Sequence, residues 1–317
     1  MNSPDRPVLD DLFDRRLEFP DTAARVRLDR LVGIASAKDR LRKLLSCLVN
    51  PAGVRLWADR FHPNSRTLVD YLERRPPLVL LAGDVGTGKT ELAETIGDAV
   101  ARSEKIGVTL YPLSLATRGS GRVGEMTRLL SAAFSEVAEA GRRLRHAPGE
   151  RARGGIILLV DEADALTQSR EEAHMHHEDR AGVNAFIRGV DRLAEQRLPV
   201  AVILSTNRLT AVDPAVRRRA AEVIVFERPN DEQRRAVLEQ PLAEAGFSDR
   251  EVAEIVRLTG AQRTGEVGFT FSDLTQRVLP TLVLDAYPEQ AVSFARAMAL
   301  IATISPTPPF RDGRSAT

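Results

Sequence analysis

Five short apolar runs punctuate the middle of the chain: PLVLLAG (77–83), GVTLYPLSL (107–115), GIILLVDE (155–162), VAVILSTN (200–207) and EVIVFERP (222–229). A strand with one wet face alternates apolar and polar residues, and these runs do not. Each therefore needs cover on both faces. The intervening segments, among them ELAETIGDAVA and GEMTRLLSAAFSEVAEAGRRLR, supply that cover because their apolar residues recur at helical spacing. The pattern predicts an α/β fold: a parallel sheet of five strands with helices on both sides.

Beyond Pro229 the strand pattern stops, and everything from NDEQRRAVLEQPLAEAGF to EQAVSFARAMALIA is helical in spacing. The chain is expected to divide into an extension (1–30), a large α/β domain (31–229), a small all-helical domain (230–304) and a proline-rich, disordered tail (305–317). No internal repeat is found. Ahead of the sheet, LDRLVGIASAKDRLRKLLSCLVN reads as a loop and an amphipathic helix. Lys+Arg 45 against Asp+Glu 44 leaves a net charge of +1, so bulk charge gives no support for a nucleic-acid or membrane partner. One cysteine, Cys47, cannot form an internal disulfide, and no run approaches the roughly 18 apolar residues of a membrane span. A soluble cytoplasmic protein is expected.

Chemistry enters where the first strand ends. Gly83-Asp84-Val85-Gly86-Thr87-Gly88-Lys89-Thr90 fits G-x-x-x-x-G-K-[ST], with a strand before it and a helix after. Glycines let backbone N–H groups turn onto phosphate oxygens, and the helix N-terminus adds its dipole. Lys89 then reaches the β and γ phosphates and Thr90 coordinates Mg²⁺. In IILLVDEAD an apolar strand delivers Asp161 and Glu162 to its carboxyl end. Asp161 is suited to hold Mg²⁺, and Glu162 to polarise an attacking water as general base.

Two further signals are ambiguous by residue type alone. Asn207 closes ILSTN, where its amide fits either turn chemistry or a hold on the lytic water. Arg217, Arg218 and Arg219 cluster before the fifth strand; such a run is a solvated basic patch or a source of an arginine for a neighbouring subunit's γ phosphate.

In this order, phosphate loop, Asp-Glu strand end, asparagine strand end, arginines and helical domain, the motifs resemble the AAA+ ATPases from residue 30 to about 300. More narrowly, DEADALT, VNAFIRGVDRL and VILSTNRLTAVDPAVRRRA resemble the pachytene-checkpoint, thyroid-receptor-interacting branch that remodels HORMA-domain proteins. The resemblance implies the P-loop NTPase AAA+ fold, with strands in the order 5-1-4-3-2 and a helical lid. It implies ATP and Mg²⁺ at the interfaces of a homohexamer, with Val32 and Gly33 beside the nucleotide and Asn207, Arg218 and Arg219 in catalysis. It also implies a HORMA-domain client and, indirectly, a nucleotidyltransferase making cyclic oligonucleotide messengers in antiphage defence. Two departures stand out. Only about 30 residues precede LVGIASAKDRL, so the client is expected to be recruited without a large N-terminal domain. The second sensor falls on Ser272, with Arg277 as a displaced candidate. A nucleic-acid motor or clamp loader on the same fold is the rival reading; a basic pore with stacking aromatics is what it would need.

Weaker signals complete the reading. Gly119-x-Gly121-x-x-Gly124 matches a dinucleotide fingerprint by letter, without the acidic residue such a site needs. In the AAA+ frame, Gly121, Arg122, Val123 and Gly124 fall where the resemblance places the client-binding pore loop, with Arg122 and Val123 in place of the usual aromatic; a flexible turn is the alternative reading. His174, His176 and His177 lack a partner pair for metal and fit a second pore loop. Cys47 is expected in the core, and Trp57 is expected to pack a helix.

Overall fold

The computed structural model describes residues 12–13, 15–115, 125–145, 152–163, 177–261 and 266–309. Their contacts gather into two compact units, drawn from Met1–Leu28, Ala37–Ala82 and Thr90–Ile224, and from Asp29–Ser36, Gly83–Lys89 and Val225–Thr317.

The sheet has six strands rather than five: β1 (Leu17–Phe19), β2 (Leu78–Gly83), β3 (Gly107–Ser114), β4 (Gly154–Asp161), β5 (Val200–Thr206) and β6 (Ala220–Phe226). Their order is β1-β3-β4-β5-β2-β6. The expected five-strand description is corrected by β1, which pairs antiparallel with the outer side of β3. With β1 set aside, the others run β3-β4-β5-β2-β6. A three-residue strand, LEF, carries too little pattern to be read locally. It is held from the other side as well, because the Phe19 ring lies where a Cβ on Gly97 would sit, 2.4 Å away. The helix Thr22–Asp29 that follows β1 is pinned by Arg27, which pairs with Glu91 and Glu94 of the helix Lys89–Glu104.

β3, β4, β5 and β2 are parallel neighbours, and their register lines up the carboxyl ends. Val160 faces Leu204, Leu204 faces Leu80, and Thr206 faces Ala82. Asp161, one residue beyond Val160, emerges at that same edge. For the inner strands the absence of alternation is explained by burial: Leu78 through Ala82 and Val202 are wholly enclosed. β6 departs from the expected cover on both faces, because it ends the sheet and exposes Val223 and Val225 while burying Ile224 and Phe226. One face is covered by the helices Glu125–Arg143 and His177–Gln196. They approach closely because Gly189 has no side chain; a Cβ there would lie 2.3 Å from the Phe134 ring. Phe134 and Phe186 then meet edge-on, centroids 5.5 Å apart.

The second unit is a helical cluster around Val237, Leu238, Ile255, Leu274 and Ile301. Two of its helices begin with reciprocal capping boxes, Asn230 with Gln233 before Asp231–Glu244 and Ser248 with Glu251 before Asp249–Leu258. Asp273 is the polar centre of this unit. Its side chain is 1% exposed and accepts from Thr270 N, Thr307 N, Thr307 Oγ1 and Arg277 Nη1. Arg277 also donates to the Ser305 carbonyl. Residues 305–309, read above as part of a disordered tail, are thus held against the unit through Ser305 and Thr307.

Burial pushes the Asp273 carboxyl up, but these donors outweigh it and hold the group at about 2, below its ordinary 3.8. A depressed carboxylate stabilises the fold above its unfolded value, and that contribution is lost as pH falls through the folded one. The loss should therefore run from about pH 4 down to about pH 2 and amount to roughly 2 kcal/mol. Asp273→Asn should lose a similar amount at neutral pH and flatten this acid step in a chemical-denaturation series. An unchanged acid step would contradict the assignment.

Candidate functional site

The phosphate loop follows β2 and precedes the helix Lys89–Glu104. Its glycines are where the backbone needs them: Gly83, Gly86 and Gly88 have φ of 150°, 76° and 92°. Space also demands them. A Cβ on Gly83 would lie 2.1 Å from the Phe226 carbonyl oxygen, and one on Gly86 would lie 2.7 Å from Thr270 Oγ1 and 2.8 Å from Ser272 Cβ. Lys89, 5% exposed, donates to the carbonyls of Gly83 at 2.7 Å and Asp84 at 2.8 Å. Thr87 is buried and its hydroxyl donates to the Asp84 carbonyl. Val85 and Thr90 are exposed. A buried cation within a loop of inward-turning glycines fits a phosphate chain.

This loop belongs to the second unit, and the segment around Thr270 and Ser272 is its neighbour there. Ser272 N donates to the Gly86 carbonyl at 3.0 Å. Of the two second-sensor candidates, Ser272 sits on the loop, while Arg277 is engaged by Asp273 and Ser305. Gly33 has φ of 81°, its carbonyl accepts from Gln233 Nε2 at 2.6 Å, and the Phe271 ring fills the space beside it. Val32 is exposed.

In the first unit, Asp161 ends β4 and its Oδ1 accepts from the Glu162 N–H at 2.9 Å. Glu162 is exposed and its φ is 52°, a left-handed conformation that a non-glycine side chain rarely adopts. Backbone outliers of this kind cluster at functional positions. Asn207 follows the end of β5, half-buried.

Arg219 is gripped by both oxygens of Asp191, Nε to Oδ1 at 2.7 Å and Nη2 to Oδ2 at 2.9 Å, and Nη1 donates to the Ala215 carbonyl. The bidentate carboxylate holds the guanidinium pKa above its ordinary value. Arg218 is exposed and donates to the Pro214 carbonyl. Asp191, the orienting partner of Arg219, lies 28 residues upstream, and only its place in VNAFIRGVDRL signals it in the sequence.

Gly121, Arg122, Val123 and Gly124, expected to form a pore loop, lie outside the described residues with His174 and His176; so does the side chain of His177. Among the described residues no cluster of three His, Cys, Asp or Glu is arranged for a metal, and no helix is long and apolar enough to cross a membrane. Cys47 is half-buried rather than fully enclosed, and burial pushes its thiol up. Trp57, expected to pack a helix, is 46% exposed and leans on Phe61 and His62.

The profile of the ATPase family associated with various cellular activities (AAA) matches residues 79–228. CD-NTase-associated protein 6 of Escherichia coli (strain MS 115-1) is 60% identical over 307 residues, spanning 97% of this chain and 98% of that one. The chain belongs to the CD-NTase-associated protein 6 family of AAA ATPases. A second member of this family, from Escherichia coli (strain KTE188), is 36% identical over 95% of the chain and 98% of its own length. Among solved structures, the E. coli MS115-1 HORMA:CdnC:Trip13 complex contains a chain that superposes with a TM-score of 0.89 at 59% identity, over 96% of this chain and all of that one. Rhizobiales Trip13 superposes at 0.74 with 49% identity, over 94% and 100%. Membership carries nucleotide binding and places the glycine loop at residues 83–90 within a known ATPase fold.

Proposed function

We propose that this protein is an ATP-hydrolysing remodeller that opens a HORMA-domain protein and separates it from its nucleotidyltransferase, switching off cyclic-oligonucleotide signalling in phage defence. The observation that carries the reading is the 60% identity to CD-NTase-associated protein 6 along 97% of the chain, supported by the fit to a chain of the HORMA:CdnC:Trip13 complex. The working form is a homohexamer in the cytoplasm.

The loop 83–90 wraps the triphosphate, and Lys89, already buried among carbonyls, exchanges those partners for phosphate oxygens. Val32 and Gly33 lie against the base. Thr90 and Asp161 would hold Mg²⁺, which would supply charge neutralisation for the phosphates. Glu162 takes the proton of the attacking water. Asn207 orients that water. Arg219, pre-set by Asp191, is offered to the γ phosphate of the neighbouring subunit, with Arg218 as the second candidate. The loop at 121–124 grips the client. The test is ATP-dependent opening of a cognate HORMA protein with a hydrolysis-dead control.

A further inference from the structure

Arg228 has no role in the scheme above, yet it is one of the more enclosed cations of the second unit, with a side chain 13% exposed. It stands just before Pro229, where the chain leaves the last strand for the first lid helix. Its guanidinium forks between two elements. Nε donates to Oδ2 of Asp84, the second residue of the phosphate loop, at 2.8 Å. Nη1 donates to the carbonyl of Gly268 at 2.8 Å. Gly268 opens the segment Gly268-Phe269-Thr270-Phe271-Ser272, whose far end returns to the loop through the bond from Ser272 N to the Gly86 carbonyl. The phosphate loop is thereby fastened to this segment at two points, Asp84 and Gly86. Thr270 closes over Gly86 between them, at a distance that leaves no room for a Cβ. The same loop residues, Gly83–Lys89, group by contact with the lid residues and not with the strands.

We infer that Arg228 is a positioning residue for nucleotide binding: through Asp84 it fixes the phosphate loop in its binding shape, and through Gly268 it ties that shape to the lid segment. The inference rests on the reading of residues 83–90 as the ATP loop. Arginine suits this task because its planar fork meets two acceptors in fixed directions, which an ammonium does not. A residue acting this way supports ground state and transition state equally, so its removal shows in affinity and not in the chemical step.

The test measures equilibrium binding of a fluorescent ATP analogue and steady-state ATP turnover for the wild type, Arg228→Ala, Asp84→Ala and the double variant. Each single change should weaken binding and raise KM about tenfold with kcat within about twofold, and the double variant should be no weaker than the weaker single. Arg228→Lys should fall between Arg228→Ala and the wild type. If an alanine variant does not fold, Arg228→Lys and Asp84→Asn complete the same cycle. Losses that multiply in the double variant, or a fall in kcat with KM unchanged, would overturn the inference. A wild type that binds the analogue without hydrolysing ATP contradicts the proposed function and leaves the binding cycle to decide this point; a wild type that binds no nucleotide overturns both.

Discussion

Glu162→Gln should bind ATP with Mg²⁺ as the wild type does and turn it over at least about a hundredfold more slowly. The neighbouring carboxylate, Asp161, is untouched, so the metal-binding charge stays while the base is lost. The amide is nearly isosteric with the carboxylate, and Glu162 is exposed at φ of 52°, so the substitution adds no packing or backbone cost beyond the strain already present. Binding should be read by titration and turnover by phosphate release on the same preparation. Turnover within a fewfold of the wild type would remove Glu162 from its role. In contrast, Lys89→Ala should fail at binding, because it removes the buried cation at the centre of the loop.

Arg219→Ala should leave ATP affinity nearly unchanged and cut turnover by about 10³, the typical worth of an arginine finger. The structure sharpens the reason. Asp191 holds the guanidinium in one orientation with two parallel hydrogen bonds, so little freedom remains to be lost when it meets a γ phosphate. Mixing Arg219→Ala with Lys89→Ala should restore part of the activity, since a mixed ring contains sites with an intact loop from one subunit and an intact arginine from the next. No rescue in a subunit-exchanging preparation would argue against a finger in trans. A large loss in Arg218→Ala with a small one in Arg219→Ala would reassign the role to Arg218, leaving Arg219 and Asp191 as a structural pair.

The features legible in the sequence are those that local pattern determines. Four of the five expected strands were readable because doubly covered strands cannot alternate; the fifth, β6, was found by its apolar run although only one of its faces is covered, with Ile224 and Phe226 buried and Val223 and Val225 exposed. The loop 83–90 was readable because backbone approach to phosphate needs glycine at set intervals, and the φ values and the absent Cβ space at Gly83 and Gly86 are the physical content of that spacing. What could not be read is what distant pairing determines. β1 exists because three residues find the open edge of β3 and the bare backbone of Gly97. Arg228 lies 144 residues from Asp84, and nothing in ERP distinguishes it from a solvated arginine. Thr307 looked like part of a polar tail because its partner, Asp273, is 34 residues away. Trp57 and Cys47 went the other way, since an apolar side chain on an amphipathic helix suggests burial without saying what will cover it. The order of the motifs, and not any single one, pointed to the AAA+ ATPases; no described residue reads the client.

ATP turnover by this protein should open a HORMA domain, and release of a trapped peptide reads that opening most directly. A closed HORMA domain wraps its peptide beneath a safety-belt segment, so spontaneous release requires breaking a sheet edge and should be slow. The cognate HORMA–peptide complex is preformed, enzyme and ATP are added, and release is followed beside a Glu162→Gln control. The account predicts that release accelerates with wild type and ATP and stays at the spontaneous rate with Glu162→Gln. Release no faster than the control, while ATP is demonstrably consumed, would contradict it.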